Sequence, residues 1–458
     1  LESYSLVSVY SHITGESVDA LGDKSVMVDW DPELVRRQVL RDVEMTYRVL
    51  HELIVIPFAL VDYVPALFSD ILYQGNGSLW SKILTMDYIR RGLPILVGES
   101  REIKGYEGAI SVCRRTGIFG KTAKFDVVSL YPNIIVQHNI HSDRDYACLM
   151  PIWVKRLLDE RVRLKKLAKE TGDPMLDARQ NALKVIINSA YGFLGTNGLY
   201  WSYEPGAAEV TRYGREVLRQ LEDLIAVHHL PIELDTDGVL FAVSDSGVPP
   251  SELISELESR VGYKLDLEEY DACISVAAKN YALLAGDKII VKGASLKNRG
   301  QSKYIMQVMR RVIERLLHDS KAGKLDLVEI MRLIEMEASA IMDPGRVPDE
   351  LLIEKVVASR RTADRNDVEW DLNDGDVVLA GKQYYIYYAK GRRKRVISVG
   401  MPSERGLVLD RMQYVRKFYD SLTRLLKIES FAAAFNDYFG GVRSFLARFG
   451  EGQVVMEI

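Results

Sequence analysis

Three stretches of this chain decide its reading: Asp126-Val-Val-Ser-Leu-Tyr-Pro-Asn133, Lys184-Val-Ile-Ile-Asn-Ser-Ala-Tyr-Gly192 and Ile232-Glu-Leu-Asp-Thr-Asp-Gly-Val-Leu-Phe241. In the third, Asp235 and Asp237 stand two apart in an alternating apolar run, which reads as strand. A period of two sets both carboxylates on one face. Asp126 follows Ala-Lys-Phe and precedes Val-Val, a second strand-like run. Two neighbouring strands can bring the three carboxylates to one point. Taken singly, Asp237-Gly238 after an apolar run signals a hairpin turn, and Asp126 is an ordinary strand-edge acid.

The middle stretch lies in a predicted helix over 174–192. Pro174 suits its first turn and Gly192 its exit. Lys184, Asn188 and Tyr191 are spaced i, i+4, i+7 and share one face. A preceding helix, about 151–170, starts after Pro151 and carries Arg161 and Lys165 at i, i+4. Thr171-Gly-Asp-Pro174 is a turn signal between the two. A lysine on such a face can neutralise a triphosphate; the other reading is a solvated helix surface with Glu–Lys pairs. Further helices are predicted from Asp31-Pro32 to about 53, near 205–229, over 302–318, from near Pro348, and over Asp410–Tyr419 continued by Leu422, Leu425 and Leu426.

At 458 residues the chain exceeds a single core and should split into subdomains. Hydrophobic residues make up 47% and charged residues 27%, the proportions of an ordinary globular protein. No uninterrupted apolar stretch is long enough to span a bilayer, and no charged-then-apolar signal opens the sequence. Cys113, Cys148 and Cys273 lie far apart, which suggests neither a disulfide framework nor a zinc site; a reducing cytoplasm is the default. The net charge of −4 does not exclude a nucleic-acid partner, because phosphate binding needs local positive charge. Two basic clusters exist, Lys155 to Lys169 and Lys390-Gly-Arg-Arg-Lys-Arg395. The second suits either a duplex backbone or a basic hairpin turn in solvent. There is no internal repeat or low-complexity segment.

In this order, the three stretches resemble the three polymerase motifs of family B DNA polymerases. The resemblance implies an α/β (α+β) right-hand architecture with a palm sheet, a helical fingers hairpin and a mostly helical thumb. It divides the chain into an exonuclease-like remnant (1–60), a linker and start of the palm (61–123), palm (124–150), fingers (151–192), palm (193–299) and thumb (300–458). The implied activity is template-directed addition of dNTPs to a primer 3′-hydroxyl with release of pyrophosphate. Two divalent ions, about 3.5–4 Å apart, hold the attacking and leaving oxygens in such a transfer. Mg²⁺ suits the hard carboxylate donors, with Mn²⁺ as a substitute.

By the same resemblance Asp126 and Asp237 bridge both metals, Asp235 assists, and Val127 belongs to the metal set. Arg161, Lys165, Lys184 and Asn188, with Ser129, Leu130 and Tyr131, hold the incoming nucleotide. Lys184 also protonates the leaving pyrophosphate, a general-acid role. Tyr131 packs under the sugar and excludes a 2′-hydroxyl. Tyr106-Glu-Gly108-Ala109 resembles the family's template-contacting Tyr-x-Gly-Gly/Ala motif, and Tyr191 and Gly192 are further DNA contacts. Lys279-Asn280-Tyr281 resembles the Lys-Lys-x-Tyr element that touches the primer, with Ala278 in place of the first Lys. Lys292-Gly-Ala-Ser-Leu-Lys-Asn-Arg299 occupies the place of the primer-gripping segment. Asn133 stands where the family usually has Ser or Thr, and Gly238 where Ser is frequent.

Leu1–Tyr10 resembles the segment that precedes the family's last exonuclease motif, and Gln38-Val-Leu-Arg-Asp42 aligns with that motif, Gln38 replacing a Tyr. The upstream Asp-x-Glu partner is not found, so proofreading by this chain is not expected. Gln453-Val-Val-Met456 is similar to the start of a sliding-clamp peptide without its aromatic pair. The expected partners are primer–template DNA and dNTPs, with a sliding clamp or a separate exonuclease-bearing chain; the expected setting is a prokaryotic cytoplasm at the nucleoid, with no membrane. Two alternatives stay open: a polymerase-like accessory subunit that binds DNA without synthesis, and the polymerase half of a split or truncated replicative enzyme.

Overall fold

The computed structural model describes residues 6–16, 32–96, 98, 102, 104–293, 296, 302–357, 367–372 and 383–450. The Leu1–Tyr10 segment, the Lys292–Arg299 segment and Gln453–Met456 fall partly or wholly outside them. The chain divides into two units, one of Leu1–Ala109 with Val127–Val217, the other of Ile110–Asp126 with Leu218–Ile458.

The first unit is helical. It holds α1 (Leu6–Thr14), α2 (Pro32–Leu53), α3 (Val55–Leu60), α4 (Phe68–Tyr73), α5 (Asn76–Arg90), α6 (Leu130–Gln137), α7 (Leu149–Thr171), α8 (Pro174–Leu194) and the first turns of α9 (Glu204–Ala226). The stop and start between α7 and α8 are local. Gly172 takes φ +69°, Asp173 accepts the Met175 N–H at 2.8 Å, and Pro174 opens α8; these are a left-handed stop, an N-cap and an N1 proline. α8 runs two residues beyond expectation, so its C-cap is Gly195 rather than Gly192. Buried Asp145 accepts from the N–H groups of Leu149 and Met150 at 3.0 and 2.8 Å, answering donors that a helix start leaves open. On α8, Ala182, Leu183, Ile186, Ile187, Ala190 and Phe193 are buried, a stripe at helical spacing. Trp80 of α5 anchors it by donating to the Ile186 carbonyl at 2.9 Å.

Three sheets organise the second unit. The first has the order β1 (Ser111–Cys113), β4 (Leu230–Asp235), β5 (Gly238–Ala242), β3 (Thr122–Val127), β6 (Leu265–Tyr270). The second runs β2 (Gly117–Phe119), β7 (Ala272–Ala277), β8 (Asn280–Ala285), β9 (Lys288–Lys292). The third runs β10 (Glu354–Val357), β12 (Gln383–Tyr387), β13 (Arg395–Ser398), β11 (Val368–Asp371). The helices are α10 (Pro250–Val261), α11 (Lys303–Lys321), α12 (Leu327–Met342), α13 (Asp349–Leu352), α14 (Arg411–Leu422), α15 (Glu429–Phe439) and α16 (Val442–Ala447).

Along α11, Ile305, Val308, Met309, Val312, Ile313 and Leu316 are buried, and they join Ile330 and Ile334 of α12, Phe418 of α14 and Phe431 of α15 in one core. The helix expected from Pro348 is a single turn. Ile353 goes extended, at φ −72° and ψ 152°, and the β-branched pair Val356-Val357 enters a strand instead. So residues after 300 contain the third sheet besides their helices. No helix among the described residues is long and apolar enough to cross a membrane.

Candidate functional site

β5 lies between the two acid-bearing strands. Gly238 is the register partner of Asp126 on one side and of Asp235 on the other. The two acids therefore flank a residue without a side chain. A Cβ at Gly238 would come within 2.2 Å of Asp126 Oδ1 and 2.8 Å of the Phe125 carbonyl oxygen. Asp237 is not on a strand. It sits in the turn from β4 to β5, where its N–H donates to the Asp235 carbonyl at 2.6 Å around Thr236 at φ +59°. This is a γ-turn with a positive central φ, a rare form. Ile110 holds it by accepting the Thr236 N–H at 2.9 Å. Two expectations are corrected here. Asp235 and Asp237 are not alternate residues of one strand, and the strands of Asp126 and Asp235 are not neighbours. The hairpin turn and the paired acids are the same residues.

Each strand acid is met by a lysine. Lys124 Nζ lies 2.6 Å from Asp126 Oδ1, and Lys279 Nζ lies 3.3 Å from Asp235 Oδ1. The Thr236 hydroxyl donates to Asp235 Oδ1 at 3.1 Å. Burial raises the Asp126 carboxyl above its ordinary pKa; Lys124 opposes the rise, and Glu268 and Asp266 on neighbouring β6 add to it. The Asp237 carboxyl is raised by burial first, then by Asp126 and Asp235. For Lys124 burial acts downward, but Asp126, Asp237 and Glu268 outweigh it and leave the ammonium raised. Sequence reasoning missed Lys124, Glu268 and Asp266. The period-two spacing of Lys124 to Asp126 was the available signal.

The donor set is carboxylate oxygen throughout, which suits a hard divalent cation. Among the described residues no three His, Cys, Asp or Glu side chains converge closely enough to hold an ion alone. Mg²⁺ needs no such cage, since it binds through one or two carboxylates plus substrate phosphates and water. On donor chemistry the residues fit the ion.

Glu233, also missed, is 1% exposed. Its Oε1 accepts the Lys279 N–H at 2.6 Å, while Oε2 has no hydrogen-bond partner among the described residues. Burial pushes its carboxyl up to about 7. The bond holds Lys279 at φ +58° in the β7–β8 turn. Gly293 lies against the same turn: a Cβ there would sit 2.2 Å from the Lys279 carbonyl oxygen. Lys279 has a side chain 55% exposed. Tyr281, expected on DNA, is 4% exposed and packed with Ile232, Leu240, Cys273 and Leu283. Lys292 is exposed at the end of β9.

In the first unit Lys165, Lys184 and Asn188 are exposed, and Arg161 Nη1 lies 3.5 Å from Ser129 Oγ. Ser129 takes φ +50° ahead of α6, and Asn133 donates to the Val128 carbonyl at 2.9 Å. Asn133 thus ties down the turn that carries Ser129. Val127 and Leu130 are buried. Three aromatic rings form a series. Tyr106 donates to the Tyr191 hydroxyl at 3.1 Å, and the Tyr191 and Tyr131 rings are 4.8 Å apart. Two glycines make room for it: a Cβ at Gly195 would meet the Tyr106 hydroxyl at 2.3 Å, and one at Gly214 would meet Tyr131 Cε1 at 2.8 Å. The signal for Gly214 was a glycine inside a helical pattern.

Arg215 donates to the carbonyls of Glu107 and Gly108 at 2.9 and 2.6 Å, and Thr211 to that of Glu107 at 2.7 Å. A Cβ at Gly108 or Gly192 would meet nothing within 4 Å, so neither glycine is required by the chain's own packing. The basic run Lys390–Arg395 is the turn into β13. Arg392 pairs with Glu369 at 2.7 Å, and Arg395 with Asp367. On α2, Gln38 donates to Asp42 at 2.9 Å.

A family model described as DNA polymerase family B matches residues 140–367. The chain is 26% identical over 404 residues to DNA polymerase 1 of Pyrococcus abyssi, an alignment covering 77% of this chain and 51% of that protein. It is 26% identical over 475 residues to the DNA polymerase of Thermococcus sp. (strain 9oN-7), covering 92% and 59%. The chain therefore spans little more than half the length of these relatives. The solved structure of the family B DNA polymerase from the hyperthermophilic archaeon Pyrobaculum calidifontis shares the fold, with a TM-score of 0.65 and 19% identity over 93% of this chain and 61% of that one. Motif order, family model, relatives and fold all liken this chain to the family B DNA polymerases.

Proposed function

We propose that this chain extends a DNA primer on a template, joining dNTPs to the 3′-hydroxyl and releasing pyrophosphate. The observation that carries the reading is the flanking of Gly238 by Asp126 and Asp235, with Asp237 in the adjoining turn. Asp126, Asp235 and Asp237 would hold two Mg²⁺ ions, which supply charge stabilisation for the attacking and leaving oxygens. Lys184 and Lys165 are exposed on the α7–α8 pair, and with Arg161 they suit the phosphates of an incoming triphosphate. Lys184 is the group to give a proton to the departing pyrophosphate. Tyr131, which packs against Gly214 and Tyr191, would sense the sugar. Template and primer contacts fall to the Tyr106–Gly108 segment, held from α9, and to Lys279 and Lys292.

In this reading α7 and α8 are the fingers, the first two sheets the palm, and the region after residue 300 the thumb. Proofreading forms no part of this reading. The test is primer extension with Mg²⁺ and dNTPs, beside Asp235→Ala. Extension by the parent alone is the expected result. One observation favours a second reading, a DNA-binding chain without synthesis: Lys124 and Lys279 already pair with two of the acids. Tight primer–template binding with no metal-dependent extension would establish that alternative.

A further inference from the structure

Asp126 is neutralised from its own strand. Lys124 precedes it by two residues on β3, so the pleat places both side chains on one face. The ion pair is 2.6 Å long, with the side chains 17% and 26% exposed. That enclosure separates it from surface pairs, which are screened and worth little. The lysine stem also has a seat. A Cβ at Gly238 would come within 3.0 Å of Lys124 Cε as well as striking Asp126, so the absent side chain on β5 leaves the space in which the stem lies. Lys279 on Asp235 is different in kind: its side chain is 55% exposed, and it reaches in from another sheet.

We propose that Lys124 is a resident counter-cation of the acid cluster, which occupies Asp126 in the ion-free protein and competes with a divalent cation for that carboxylate. The inference rests on the metal-dependent reading above. Acids gathered on β3, on β6 and in the Thr236 turn repel one another, and a fixed ammonium among them lowers that cost before any ion arrives. The ion must then displace or share a charge already in place. Its apparent affinity falls by the strength of the competing pair, as for any linked equilibrium. Lys124 thus sets the ion concentration at which the site fills.

The test measures Mn²⁺ binding to the full chain, without DNA or nucleotide, by the paramagnetic signal of the free ion. Lys124→Met should bind Mn²⁺ about tenfold more tightly than the parent, a shift that one partly buried charge can supply. Lys124→Arg should stay near the parent, and Asp126→Asn should lose the site. A second measurement uses the unaltered protein: amine acetylation at Lys124, read by mass spectrometry, should rise several-fold when Mn²⁺ is added. Equal Mn²⁺ affinity in the parent and Lys124→Met overturns the proposal alone, as does unchanged acetylation. No Mn²⁺ binding by any form, parent included, overturns both this proposal and the metal-dependent reading.

Discussion

On the helical pair α7–α8, Lys165 and Lys184 stand exposed, whereas in the first sheet of the second unit Asp126 and Asp235 are each met by a lysine of the same unit. The difference follows from solvation. A lysine on a helix surface keeps its ammonium in water and costs the fold almost nothing. It can wait for an anionic ligand. Carboxylates drawn together at the strand ends of a packed sheet lose water and repel one another, and a charge in that position has to be compensated. The raised pKa of Asp126 and Asp237 is the residue of that conflict. One region holds charge ready at no structural cost; the other holds it under compensation, and substitutions in the two should separate activity from stability differently.

The largest effect expected is from Asp237→Ala. Single-turnover primer extension should fall by about 10³-fold or more, near 4 kcal/mol of transition-state stabilisation. The melting temperature should hold or rise, because a buried, raised carboxyl is removed. Extension that survives would break the comparison, since the sheet acids would then not be the catalytic set. Next is Lys184→Ala, for which kcat/KM for dNTP should drop about 10²-fold, while stability stays within about 0.5 kcal/mol, as for an exposed residue. Denaturant melts beside the kinetics would check this; a large stability loss would mean the helix cations are structural after all.

Glu233 sharpens the sheet side. Its carboxyl, ordinarily near 4.5, is pushed up to about 7. The folded state therefore binds a proton that the unfolded state has released between those values. The sign is that stability is fully present below about 4.5 and is lost as pH rises to about 7. Glu233→Gln should remove that slope and stabilise the protein by about 3 kcal/mol at pH 8, read from urea midpoints across pH. A flat profile in the parent would refute the burial argument. The smallest effect belongs to Gly214→Ala. Alanine gains about 0.5–1 kcal/mol inside a helix, but its Cβ would meet Tyr131 at 2.8 Å. Stability should barely move while preference for dNTP over rNTP falls several-fold; unchanged discrimination would take Tyr131 out of sugar sensing.

What was legible in the sequence was local or ordered. Gly172, Asp173 and Pro174 announce the α7–α8 turn because stop, cap and start lie within three residues. Asp126, Lys184 and the Asp235–Asp237 pair were singled out by order and chemistry. What stayed hidden depends on pairing across the chain. Lys124 gains its meaning from Gly238 on another strand, and Glu233 from a turn more than forty residues away. Tyr281 carried a motif, yet its place on central strand β8 buries it. The third sheet escaped because its strands are four or five residues long and one pair, β11 with β13, is parallel. Short runs of this kind leave periodicity little to work with.

An engineer seeking a sturdier version of this chain would be drawn to Thr236. A β-branched residue at φ +59° carries backbone strain of about 1–2 kcal/mol, which glycine would relieve. That gain would be taken from the link that fixes Asp237 against Asp235, and the hydroxyl bond to Asp235 Oδ1 would go with it. Robustness and a rigid acid pair therefore pull this one position in opposite directions.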